Sequence, residues 1–435
     1  MAHIGYLPPE NWTGRRTGSG AILDPRTLAF GASLLLVLVT LQPFADRSVI
    51  STISAGSLDT AYPAFELCLV GISFVLCWPA LRIALPSLVR PFNVLLILWL
   101  AVAVVTSENF DLSFRRFFVT LLDMGLAAVV LLMPRGLNDF SRVLIFCVAL
   151  VLLLCYLGVL LVPSLAIHQA TDALEPELAG MWRGLYFHKN TAGTMMVLFV
   201  FVGQFAWRTG RRAVGALIAV AAAVFLIMTV SKNGLVLLVF TSVLAAIAER
   251  IRSWRWRAVI CVLPLVLLNI FTVGTIFFEP IKHIVDLLGI DSTYTNRSEI
   301  WQFVSQRIAE RPITGHGLQA FWNTNTAYEE SEGSKNWVWR AGASHNAYLD
   351  LALTIGIPGT ILIIISFVIY PLIDYQRQLH EPTNRLLASL FMRIWLFLLY
   401  TTALESIFLD RGSAWFMLMM AVFGLRYMAV LRVAP

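Results

Sequence analysis

The run W-V-W-R-A-G-A-S-H-N, Trp337 to Asn346, closes a polar interval and opens an apolar helix. A histidine at a helix N-terminus is biased toward the neutral form, which can take a proton from a hydroxyl. His345 is therefore the first candidate for a general base, with Asn346 in support. His316, in the G-H-G turn at Gly315 to Gly317, and His188 are its rivals. A second run, M-W-R-G-L-Y-F-H-K-N from Met181 to Asn190, stands before another apolar helix, with Asn190 placed to act as its N-cap. Arg183, His188 and Lys189 thus add positive charge where free N–H groups and the helix dipole already favour an anion. Two such helix starts, flanked by Arg183, Lys189, Arg340 and His345, suit a diphosphate. Lys232, the only charge in the turn Ser231 to Gly234, either reaches an anionic head group or is an ordinary interfacial lysine.

The elements that must position these residues are membrane helices. The chain has 435 residues, is 58% hydrophobic and 13% charged, and has a mean hydropathy of +0.76. That excludes a soluble globular protein and predicts an all-α polytopic membrane protein. Apolar runs long enough to cross a bilayer fall near 28–44, 65–85, 92–106, 115–134, 142–163, 191–207, 213–230, 234–249, 258–278, 347–370, 386–404 and 414–431, about twelve helices. The predicted organisation is a cytoplasmic tail over 1–26, helices one to nine over 27–278, an extracytoplasmic loop over 279–346 and helices ten to twelve over 347–435.

Arginines gather in the connections that are inside if the N-terminus is cytoplasmic, among them Arg208, Arg211, Arg212, Arg250, Arg252 and Arg385. Both termini then lie inside and the long loop faces outward. This bias accounts for the net charge of +6 without a nucleic-acid partner. The first apolar run reads as a signal anchor rather than a cleaved signal. Five cysteines, all within predicted spans, argue against disulfides and a thiolate metal site.

Within the long loop, Ile300, Val304 and Ile308 recur every four residues beside Trp301. Asn296 and Glu299 form a capping-box pattern, and Arg311-Pro312 stops the run. This predicts an amphipathic helix lying on the membrane or packed on the bundle. Trp322, Tyr328, Trp337 and Trp339 offer aromatic faces to sugar rings or anchor the chain at the interface. Glu330 and Glu332 read as a solvated charge run. Asp123, about two turns into the fourth span, must face a partner or a polar cavity. Asp46 and Asp59 in the first outer connection are too far apart for a D-x-D metal pair.

Taken together, R-G-L-Y-F-H-K-N-T-A-G (Arg183 to Gly193), S-K-N-G (Ser231), N-R-S-E-I-W (Asn296), R-P-I-T-G-H-G (Arg311) and S-H-N-A-Y-L-D-L-A-L-T-I-G-I-P-G (Ser344 to Gly359) resemble the O-antigen ligase and Wzy-type polymerase superfamily. They are most similar to its exopolysaccharide polymerase branch. The resemblance covers about residues 180 to 360, and the first five helices match only in number and hydrophobicity. It implies a bacterial inner-membrane enzyme without metal or cofactor. Such an enzyme takes a glycan from undecaprenyl diphosphate and transfers it, with inversion, to a sugar hydroxyl. It implies His345 as base and Arg183, Arg297 and Arg340 as diphosphate ligands. The implied partners are the lipid-linked donor, a lipid-linked glycan or lipid A-core acceptor, membrane lipids and a chain-length regulator.

The function expected is repeat-unit polymerisation. Ligation to lipid A-core and transport of the lipid-linked glycan are the alternatives. The absence of an evident internal repeat, and basic residues gathered at helix ends rather than along the bundle, weigh against transport.

Overall fold

The computed structural model describes residues 24–39, 42–48, 61–173, 175–289, 294, 297–322, 324, 327, 342–378 and 385–431. Among them the chain is helical, with one isolated bridge between Ile167 and Trp182 and no strand. The helices are α1 (Pro25–Leu38), α2 (Ala61–Leu88), α3 (Pro91–Val105), α4 (Phe110–Val130), α5 (Leu137–Leu161) and the short α6 (Pro163–Ala166). There follow α7 (Lys189–Arg208), α8 (Arg212–Met228), α9 (Lys232–Arg250), α10 (Trp254–Thr272), α11 (Glu279–Leu287) and α12 (Arg297–Glu310). The last four are α13 (Ala347–Ile364), α14 (Tyr370–Gln378), α15 (Arg385–Thr401) and α16 (Ser413–Leu431).

A helix covers each of the twelve apolar stretches, and seven segments among the described residues are long and apolar enough to cross a membrane. These are Tyr62–Leu88, Leu137–Leu161, Lys189–Arg208, Lys232–Arg250, Trp254–Ile276, Ala347–Arg377 and Ser413–Val430; Pro25–Leu38, Pro91–Val105 and Arg212–Met228 are apolar but shorter. The protein is therefore an all-helical, multi-pass membrane protein. Burial separates its helices by role. In α7 and α16 most of the apolar window lies inside the protein, whereas α2 and α10 turn most of theirs outward. The centre of the bundle is thus α7 and α16 with α15, whose residues from Ala388 to Thr401 are almost all buried.

One helix departs from the expected pattern and a second meets it. The stretch expected to run to 278 stops as a helix at Thr272, and after a short 3-10 turn the chain forms α11. Phe277, Phe278, Ile284, Leu287 and Leu288 around α11 are exposed, as on a helix lying at a lipid interface. The amphipathic helix expected over 296–310 is α12. It buries Ile300, Trp301, Phe303 and Val304 against Phe321, Ala327 and Leu353, so it packs on the bundle. Asn296, half of the expected capping box, lies outside the described residues, as do the tail before 24, Asp59, Tyr328 and Glu330 to Arg340 with its tryptophans.

α13 is broken where the sequence reads T-I-G-I-P. Gly356 has φ +71°, a left-handed conformation that a glycine adopts without strain. Pro358 removes one further donor. The break frees backbone groups in the bundle, which cannot be left unpaired in lipid. The turn Arg311 to Gly317 supplies their partners: His316 N–H donates to Leu353 O (2.9 Å), Gly317 N–H to Thr354 O (3.0 Å), and Ile357 N–H to Pro312 O (2.9 Å). Trp99 Nε1 donates to Ile355 O at 2.8 Å. A Cβ on Gly356 would collide with the Ile313 carbonyl, so the glycine is what lets the turn enter. Two distant motifs, R-P-I-T-G-H-G and the first glycine of T-I-G-I-P-G, are in this way one structural device.

Asp123 is buried and meets Glu66 of α2, with Arg411 close by. Its neighbour is thus another carboxyl.

Candidate active site

The site begins with three consecutive residues. Ser344 and Asn346 are fully buried, while His345 between them is about one third exposed at its side chain. Ser344 is clamped from both sides: its N–H donates to the Asp350 carboxylate (3.2 Å) and its carbonyl accepts from Trp301 Nε1 (3.0 Å). Asp350 also receives Trp322 Nε1 (2.8 Å) and the Ser406 hydroxyl. Asn346 caps α13, its side-chain oxygen accepting from Tyr348 N–H and Leu349 N–H at 3.1 and 3.2 Å. Its amide donates to Asn269 and to the Ala403 carbonyl. Fixing both neighbours drives His345 into the left-handed region, φ +54°, which costs a non-glycine residue about 1–2 kcal/mol. The strain turns its imidazole outward while the cap stays buried.

The imidazole then meets a residue that is not among the candidates read from the sequence. Glu405, at the end of α15, accepts from His345 Nδ1 at 2.9 Å. A carboxylate can only accept, so Nδ1 carries a proton, and in the neutral imidazole Nε2 then presents its lone pair. Among the described residues Nε2 has no protein partner.

Glu405 is a junction for two further groups. Arg297 donates to Leu404 O (2.7 Å) and to Glu405 Oε1 (3.3 Å), and Asn190 Nδ2 donates to the same oxygen at 3.1 Å. Burial by itself raises a carboxyl pKa. Here the His345 hydrogen bond and the positive charge around the carboxyl, that of Arg297 included, outweigh it and hold Glu405 at about 2. The carboxylate is therefore in its ionised, accepting form at neutral pH.

Asn190 brings in α7, so the N-termini of α7 and α13 both end beside Glu405. The cap of α7 differs from the expected one. His188 occupies the cap, its Nδ1 accepting from Asn190 N–H at 3.1 Å, which frees the Asn190 side chain to reach Glu405. His188 Nε2 is committed to Glu175 at 3.2 Å. His168 donates from Nδ1 to Asp172 (2.7 Å) and accepts at Nε2 from Lys189 N–H (3.3 Å). Burial lowers the His168 pKa to about 4 against the opposing pull of Asp172, so it is a neutral, saturated strut.

The remaining candidates divide plainly. Arg183 is buried and donates to the Ala45 (2.7 Å) and Tyr186 (3.3 Å) carbonyls, and no contact joins it to the Glu405 cluster. Its place is that of a tie between the connection after α1 and the segment before α7. Lys189 is near Val230 O at 3.5 Å and Lys232 is exposed at the start of α9, where Ser231 is the cap. The two ammonium groups are close enough to repel. His316 is buried, with Nδ1 on Glu108 (3.2 Å) and Nε2 on Arg307 O (2.9 Å). Arg340 lies outside the described residues. Among those described, no group of three or more His, Cys, Asp or Glu could hold a metal ion, and all five cysteines are free thiols.

Chemically, the cluster offers one directed lone pair backed by a fixed negative charge, next to a guanidinium and two positive helix ends. That set can take a proton from a hydroxyl and hold an anion beside it. No curated protein matches the chain. Residues 217–364 match the family model described as O-Antigen ligase, a stretch that holds Arg297, His316, His345 and the broken α13 but neither Glu405 nor the Arg183 to Lys189 run. The match covers about a third of the chain, and over that stretch it supports the resemblance to the O-antigen ligase and Wzy-type superfamily.

Proposed function

We propose that the protein is an inverting glycosyltransferase that polymerises polysaccharide repeat units from undecaprenyl-diphosphate-linked donors at the outer face of the bacterial inner membrane. All twelve helices cross in this reading, the termini lie inside, and the segment 279–346 lies outside. The observation that carries the chemistry is the free Nε2 of His345, opposite an Nδ1–H bound to Glu405. In the reaction, the acceptor hydroxyl gives its proton to His345 Nε2 as its oxygen attacks the anomeric carbon. The bond from that carbon to the diphosphate oxygen breaks on the opposite face, and undecaprenyl diphosphate leaves with the electron pair. Glu405 holds the imidazole in the right tautomer and stabilises the imidazolium that forms. The helix starts at Lys189 and Ala347, with Arg297 and Lys189, stabilise the departing diphosphate without a divalent ion. Arg183 supports them by fixing the Met181 to Lys189 segment.

One observation favours a second reading. The matched family model is named for ligation, so transfer to lipid A-core is its nearest competitor. The protein in lipid is given undecaprenyl-diphosphate repeat units alone, then with lipid A-core, and the products are resolved by length. A ladder without the core supports polymerisation, product only with the core means ligation, and no glycosidic product with the cognate glycan in either tube sinks both.

A further inference from the structure

At the opposite end of the bundle from His345, the last turns of α7 and α9 and the first turns of α15 enclose a cavity of about 390 Å³. It is lined by Arg208, Ala246, Glu249, Arg250, Arg385 and Arg393, four arginines against one carboxylate. Part of this set is internally satisfied. Ser389 donates to Glu249 (2.6 Å) and accepts from Arg208 (2.9 Å), and Arg393 donates to Glu249 at 3.3 Å. Arg250 donates only to the Ala246 carbonyl one turn back (2.8 Å), and Arg385 has no hydrogen bond or ion pair among the described residues. Among the described residues neither Arg250 nor Arg385 meets a carboxylate, and the described lining keeps an excess of positive charge.

The surface leading to the cavity is lipid-facing. Along α9, Val236, Val239, Val243 and Ile247 are exposed at helical spacing and form a stripe that ends beside Ala246 and Arg250. Trp207, half exposed, precedes Arg208 at the same level. An arginine pocket fits a phosphate, and an apolar stripe running from it fits acyl chains. A soluble anion uses only the first of these.

We propose that this pocket is a binding site for the phosphate head group of an anionic phospholipid, whose acyl chains lie along the exposed face of α9. The lipid bridges three helices whose other ends carry or adjoin Asn190, Lys232 and Glu405. It thereby braces the bundle that holds the site. The proposal rests on the membrane setting of the bundle and not on the glycosyltransferase reading.

The test uses the full chain, stripped of lipid in detergent and titrated with dioleoylphosphatidylglycerol, dioleoylphosphatidylcholine or inorganic phosphate. Bound lipid is counted by native mass spectrometry and the melting midpoint is followed. The expected result is retention of phosphatidylglycerol at about tenfold lower concentration than phosphatidylcholine, with a rise in melting midpoint. The double variant R250Q/R385Q, which leaves the Arg208–Ser389–Glu249–Arg393 network intact, loses that preference. The control R252Q/R255Q removes equal charge from the same end outside the cavity and keeps it. Equal loss in both variants would overturn the proposal in favour of general surface charge. Stabilisation by inorganic phosphate equal to that by phosphatidylglycerol would overturn it in favour of a soluble anion.

Discussion

His316 and His345 each set Nδ1 against a glutamate, Glu108 at 3.2 Å and Glu405 at 2.9 Å, and each stands where a helix is interrupted or begins. They differ at the other nitrogen. His316 is buried and spends Nε2 on the Arg307 carbonyl, so both its nitrogens hold the entering turn to its neighbours. His345 is thrust outward by a strained backbone, and its Nε2 has no protein partner among the described residues. A histidine–carboxylate pair is therefore not in itself a general base. The proposed base is the pair whose second nitrogen has no protein partner among the described residues and whose side chain is partly exposed.

The comparison can be broken most directly at His345. His345→Gln is expected to lower turnover by about 10²–10⁴-fold with expression and melting unchanged, measured as product per folded molecule in lipid. If turnover falls less than a few-fold, His345 is not the base. Glu405→Gln comes next, with a loss of about 10²-fold or more, because an amide can donate as well as accept and so no longer fixes the tautomer, and because the charge that stabilises the imidazolium is gone. The matching change at the other pair, Glu108→Gln, should leave turnover per folded molecule within about twofold of wild type, since no proton transfer is assigned there. An equal loss in the two glutamine variants would erase the distinction drawn here.

His316→Gln sharpens the contrast from the stability side. It should cost about 1–3 kcal/mol, seen as a lower unfolding midpoint, because a buried carbonyl and a turn lose their partner. Catalysis by the folded fraction should persist. The smallest effect is in pH. The pKa of Glu405 lies below its unfolded value, so the stabilisation it contributes is complete above about pH 4.5 and is lost as pH falls toward about 2. Glu405→Gln should therefore flatten the acid side of the stability curve below about pH 4.5, and any acid limb of the activity profile above that belongs to another group. A stability curve as steep in the variant as in the wild type would remove Glu405 as its source.

Much of this arrangement is local and so is written locally. Apolar run length locates the helices because a bilayer demands about twenty apolar residues and an intact backbone ladder. Ser344 and Asn346 flanking His345 mark a capped helix start. The four-residue spacing of Ile300 and Val304, with Trp301 beside them, marks the buried face of α12. Each of these signals is read within a turn or two of the residue concerned.

What the tertiary structure decided involves pairs far apart in the chain. Glu405 lies 60 residues from His345 and 108 from Arg297, and nothing in its own surroundings distinguishes it from a rim acid. Only the packing of α7, α13 and α15 brings Asn190, His345 and Glu405 to one point. Arg183 stands in one of the two anion-site patterns of the sequence, yet both its terminal nitrogens donate to carbonyls, those of Tyr186 and Ala45, the second of them 138 residues away. Residue type and spacing determine which groups can act. Long-range packing decides which of them still has a bond to give, because each buried donor and acceptor must first find its partner.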